Sequence, residues 1–124
     1  MAKKTEKTKN EIKKTAQELL ELLGIVDRKI SLERDKDGIF NLLIETKDSG
    51  ILIGYHGENI YAIQLILGLI VYKKMGKWQR IVVDVGGWRE KREEQLKGMA
   101  LSAAQRAKFS KKSVTMSYLN SAER

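Results

Sequence analysis

No cysteine occurs among the 124 residues, and His56 is the sole histidine. The first absence excludes disulfides, thiolate nucleophiles and cysteine-zinc sites. The second leaves no partner for a histidine relay or a paired-histidine metal site. Aspartates and glutamates are scattered along faces expected to meet solvent, so their spacing offers no acid-base pair. No Gly-Lys-Ser/Thr follows the glycines at 54 and 57, which rules out a P-loop. These absences point away from an enzyme, a cofactor, a metal centre or a small-molecule substrate. The first residues, Met1-Ala2-Lys3-Lys4-Thr5-Glu6-Lys7, lack the apolar stretch of a secretory signal. The longest apolar run, from Ile60 to Tyr72, is broken by Gln64 and falls short of the roughly 20 residues that span a bilayer. A cytoplasmic protein without a membrane span is expected. Neither an internal repeat nor a proline-rich linker divides the chain.

What the chain does have is positive charge. Twenty-four lysines and arginines stand against 16 aspartates and glutamates, giving a formal charge of +8 and a pI near 9.7. Such an excess attracts polyanions, either nucleic acid or an anionic membrane surface. The lysine-rich start lacks the apolar face that would hold it in a membrane. Its length allows one domain, or one domain and part of another.

Along the chain, residues 1–9 show no apolar periodicity and are expected to form a flexible arm. Thr8 and Glu11 have capping-box spacing, and Ile12, Ala16, Leu19 and Leu23 follow at helical intervals up to Gly24, which predicts a helix over about 10–23. Ile30 and Leu32, then Phe40, Leu42 and Ile44, alternate with polar neighbours around Asp35-Lys36-Asp37-Gly38, the pattern of a hairpin. Lys47-Asp48-Ser49-Gly50 ends the second strand and opens a short helix, 50–53. From Glu58 to Lys74 runs a helix apolar nearly all round, expected to be the most buried of the fold. Ile81, Val83 and Val85 predict a third strand. A long helix follows from Trp88 to about Lys108, with Leu96, Ala100, Ala103 and Ala107 on one stripe, and Val114 and Met116 suggest a short last strand.

Between the short and the long helix lies Ile53-Gly54-Tyr55-His56-Gly57-Glu58, a GxxG loop. Glycine permits positive φ and removes the side chain, so backbone N–H groups at 54 and 57 are expected to lie uncovered beside the positive end of the next helix, where a phosphate fits. The same four residues can also be nothing more than a turn between helices. Their place, after two strands and before a third in an α+β layer, favours the clamp.

The runs Leu52-Ile53-Gly54-Tyr55-His56-Gly57-Glu58-Asn59-Ile60-Tyr61-Ala62-Ile63-Gln64, Arg80 to Val85, and Gly87-Trp88-Arg89-Glu90-Lys91-Arg92-Glu93-Glu94 resemble the Jag (SpoIIIJ-associated) RNA-binding proteins of bacteria. That resemblance covers roughly 15–124. It implies a K-homology (KH) domain of the type II, prokaryotic topology over 10–86, a three-stranded sheet packed against helices. Residues 87–124 would then be the helix and strand that begin the family's Arg-x-x-x-His-motif domain. Ser117 to Arg124 resembles the lead-in to that motif and stops at its arginine, so independent nucleic-acid activity of the second domain is not expected. One departure concerns the clamp. The family usually carries lysine or arginine inside GxxG, whereas this chain has Tyr55 and His56. Tyr55 can stack on a base or hydrogen-bond a phosphate, and His56 is charged only when protonated.

The main expectation is therefore single-stranded RNA binding, in post-transcriptional regulation or as an RNA chaperone. The candidate site is Gly54, Tyr55, His56 and Gly57 with Ile53, Glu58, Asn59, Ile60 and Lys47. Ile51, Ile63 and Leu43 or Ile44 are candidate groove residues, and Lys73, Lys74, Lys77 and Arg80 could extend the basic surface. A second reading is a protein-interaction module that pairs with another KH protein or docks on a larger RNA-processing or ribosomal assembly. In either reading Trp88 is expected in the core.

Overall fold

The computed structural model describes residues 2–111 together with Ser113, Leu119 and Glu123. Two compact units divide it, Met1–Trp88 and Arg89–Arg124. In the first, helix α1 (Ala2–Leu22) precedes strands β1 (Lys29–Arg34) and β2 (Phe40–Glu45), and short helix α2 (Ser49–Ile53) leads through a single 3-10 turn, Tyr55–Gly57, into α3 (Glu58–Met75) and β3 (Ile81–Val85). Helix α4 (Trp88–Ser110) follows. Among the described residues no helix is long and apolar enough to cross a membrane. The strand suggested at Val114 and Met116 lies outside the described residues.

The sheet has the order β1-β2-β3. β1 and β2 pair antiparallel with Leu32 opposite Leu42, while β2 and β3 pair parallel with Leu42 opposite Val83. A parallel pair needs a crossover, which α2 and α3 supply. Alternation decides the faces. Phe40, Leu42 and Ile44 of β2 and Ile81, Val83 and Val85 of β3 are buried, and Asn41 and Glu45 point outward. The buried set packs against Ile12, Ala16 and Leu20 of α1 and Ile60, Leu67 and Val71 of α3, making one core between a sheet and a helix layer. This is an α+β fold, as the element order led us to expect, in the KH-type arrangement that the resemblance implied.

Two expectations need correction. The helix predicted from residue 10 begins at Ala2, so the lysine-rich segment is helical. Thr8 is buried inside α1 and donates its hydroxyl to the Lys4 carbonyl at 2.9 Å, where a capping box would have placed it at the helix start. Half-buried Thr5, buried Thr8 and buried Thr15 continue the inward stripe of Ile12 and Ala16, a signal hidden from a reading that counts apolar residues alone. The second correction concerns α3. Its inner face is sealed, but Leu65, Ile66, Leu69 and Tyr72 are exposed. α3 rests on β3 with α1 beside it and α2 at its start, which leaves its outer side apolar and uncovered.

In the second unit Arg92, only 4% exposed, holds the carboxylate of Glu123 through Nε at 2.8 Å and Nη2 at 3.1 Å, and donates from Nη1 to Gln95 Oε1 at 2.9 Å. A planar guanidinium gripping both carboxylate oxygens is the strongest geometry for such a pair. Ala103 is buried here, whereas Leu101 and Phe109 are exposed.

Candidate nucleic-acid interface

The GxxG loop is built by two glycines with unlike duties. Gly54 ends α2 at φ 70°, ψ −169°, a backbone region essentially reserved for glycine. Gly57 caps α3 at φ 82°, ψ 9°, in the left-handed region. Between them His56 also takes a left-handed conformation, φ 53°, which histidine adopts more readily than most L residues.

The space left by the missing side chains is filled from inside the protein. A Cβ on Gly54 would fall 2.5 Å from Asn59 Cγ, and one on Gly57 would fall 2.2 Å from Trp88 Cη2. Asn59 in turn donates from Nδ2 to the Ile51 carbonyl at 2.8 Å, closing the C-terminal end of α2 against the first turn of α3. Trp88 packs on the core and meets Tyr61 edge-on, ring centroids 6.2 Å apart. The expectation of uncovered amides at the glycines is therefore revised. Gly54 N–H donates to the Gly50 carbonyl at 3.0 Å, Gly57 N–H reaches the Gly54 carbonyl at 3.5 Å, and Gly57 is buried.

What the loop presents outward is Tyr55, 60% exposed, with His56 half-buried beside it in an edge-to-face contact at 4.0 Å. Glu58, exposed, begins α3 and sets a negative charge next to the loop. The remaining sequence-predicted residues divide. Ile53 is half-buried against the core, and Ile60, fully buried, can touch no ligand; Ile63 and Ile44 are core as well. Asn59 is a brace within the loop. Lys47 is exposed but precedes α2, at the end of that helix away from GxxG.

Of the surface next to the loop, sequence reasoning points to Arg80 but not to the aromatic and polar side chains around it. Between α3 and the edge strand β3 a cleft of about 300 Å³ is lined by Tyr61, Gln64, Leu65, Gly68, Trp78 and Arg80, among others. Gln64 reaches across it, its Oε1 accepting the Val83 N–H at 2.9 Å, so that an open-edge donor of β3 is occupied by a side chain. The signal for this surface was present as Gly57, Tyr61, Gln64 and Gly68, spaced four, three and four along α3, which puts them on one helical face.

Residues 9–85 match the model of the KhpA/KhpB KH domain. The chain belongs to this KH-domain family. A protein named RNA-binding protein KhpB from Clostridium symbiosum is 33% identical over 84 residues, 68% of this chain and 38% of that protein. The RNA-binding protein KhpB of Bacillus subtilis (strain 168) is 28% identical over 81 residues, 65% of this chain and 39% of its own length. The match thus spans under two fifths of the length of these curated relatives. As a KhpA/KhpB KH domain the chain has its GxxG loop, its crossover helices and its β3 edge inside the matched span.

Proposed function

We propose that this chain binds single-stranded RNA, with the sugar-phosphate backbone passing the GxxG loop and bases turned toward the α3–β3 cleft, and that it does so as a non-enzymatic cytoplasmic module of post-transcriptional regulation or RNA chaperoning. The observation that carries the reading is the loop itself: two glycines locked from behind by Asn59 and Trp88, with Tyr55 and His56 facing out at the N-terminal end of α3. A rigid turn at a helix start presents a phosphate with the positive end of a helix dipole, the glycine amides themselves being bonded within the loop. The names of both relatives, each an RNA-binding protein, and the net charge of +8 agree with it. Tyr55, in place of the usual cation, supplies a ring for stacking and a hydroxyl for hydrogen bonding.

The test is fluorescence anisotropy with a mixed-sequence single-stranded RNA over a salt series, comparing wild type with a Tyr55→Asp/His56→Asp double variant. Tyr55 is exposed, and His56 is half-buried in a left-handed conformation that aspartate also tolerates, so the variant should keep its circular dichroism. Binding lost in the folded variant, with a wild-type log-log salt slope of about −0.7 per neutralised phosphate, is the expected result. Equal binding by the two proteins would make the loop a turn and nothing more.

A second reading, pairing with another KH protein or docking on a larger assembly, is favoured by one observation: the uncovered apolar side of α3 at Ile66 and Leu69. The two readings use different faces of the same helix.

A further inference from the structure

We infer that Trp78 is a base-stacking platform at the far end of the RNA path, seated on α3 by Gly68. This rests on the RNA-binding reading above and adds a residue to it. Trp78 lies in the turn between α3 and β3 and is 51% exposed, an unusual degree for tryptophan. It is nonetheless fixed. A Cβ on buried Gly68 would fall 3.0 Å from Trp78 Cη2, so the indole lies directly against the helix backbone, and Tyr72 braces it at 6.1 Å between ring centroids. An indole held at one side and open at the other offers a π surface at little entropic cost.

Its surroundings select the occupant. Trp78 closes the cleft that Tyr61 and Gln64 share with β3, and Tyr61 touches the same Trp88 that fills Gly57. The path from loop to platform is thus one continuous face of α3. Eleven residues separate Gly57 from Gly68, about 16 Å at the helical rise. The roughly four nucleotides that a KH domain clamps span about 10 Å over three stacked steps, and more when splayed, which brings them to the length of this path. Exposed Lys77 and Arg80 flank the indole, and beyond it a second cleft is lined by Lys4, Arg34 and Lys77. Cations on both sides of an aromatic ring suit a base whose phosphates lie to either side, and they oppose burial under an apolar protein surface.

The experiment compares the 124-residue wild type, Trp78→Ala and Trp78→Phe for binding a short single-stranded RNA and an abasic ribose-phosphate chain of equal length. Trp78→Ala should weaken RNA binding roughly ten-fold, leave the abasic chain unchanged, and be largely rescued by Trp78→Phe. RNA should also quench the part of the tryptophan emission that Trp78→Phe removes. Equal RNA affinity of wild type and Trp78→Ala would overturn the inference while leaving the loop reading intact. An equal loss for both ligands would overturn it as well, since stacking needs a base. Should Trp78→Ala instead abolish self-association with no change in RNA binding, the patch is a protein interface and the inference falls. No binding of either ligand by wild type removes both readings together.

Discussion

Glycines 54 and 57 show why a four-residue motif can be needed for reasons its spelling does not state. Positive φ is half of it; the other half is that Asn59 and Trp88 occupy the volume a side chain would take. Gly57→Ala must both bear a left-handed alanine, about 1–2 kcal/mol, and push aside a rigid indole packed on the core, about 1–3 kcal/mol. A loss of about 2–5 kcal/mol in urea unfolding is expected, with altered tryptophan emission as Trp88 moves. Gly50 is the control. It has no positive φ and nothing within 4 Å of a built Cβ, so Gly50→Ala should be neutral or stabilise by up to about 1 kcal/mol. If the two variants unfold alike, the steric half of the argument is wrong.

At the scale of elements, the β1–β2 hairpin is held by one carboxylate. Asp35 Oδ1 accepts the N–H groups of Asp37 at 2.8 Å and Ile39 at 3.0 Å, and Asn41 Nδ2 donates to Oδ2 at 3.3 Å. The Ile39 N–H chiefly holds the Asp35 carboxyl below its ordinary pKa, aided by Asn41, Asp37 and the charge of Arg80 and opposed by desolvation. A pKa depressed in the folded state means stability that is present above the unfolded value, about 3.9, and lost as pH falls through the folded one. Wild type should therefore exceed Asp35→Asn in urea midpoint near neutral pH, and the gap should close well below about pH 4. A gap unchanged in acid would remove the carboxylate from the account. This hairpin was legible in the sequence because Asp-Lys-Asp-Gly between alternating strands is local chemistry, and β3 was legible for the same reason. The start of α1 was not, since its inward stripe runs through Thr5 and Thr8, whose burial depends on packing. Of the cleft only the stripe of Tyr61, Gln64 and Gly68 along α3 was there to be read; its Trp78 end was not, since Trp78 and Gly68 meet only once α3 has turned back toward the sheet.

For the whole molecule, the question left by the fold is what an all-round apolar helix does with its outer side. Gln64, Gly68 and Tyr61 face the cleft, Ile60, Leu67 and Val71 face the core, and Ile66 and Leu69 face neither. Apolar residues gathered on an open face mark a contact surface more often than chance exposure does. Pairing through this face would leave the GxxG loop and Trp78 open to RNA, so both proposed activities can coexist in one particle. An Ile66→Lys/Leu69→Lys variant separates them. Because both side chains are exposed and lysine is a good helix former, unfolding free energy should change by no more than about 0.5 kcal/mol per site. Sedimentation velocity should show concentration-dependent association in wild type that is absent in the variant, while binding to single-stranded RNA is kept or slightly strengthened by the added charge. Wild type that stays monomeric at every concentration would exclude self-pairing through α3. A variant that unfolds would instead show that the outer side of α3 is buried in solution.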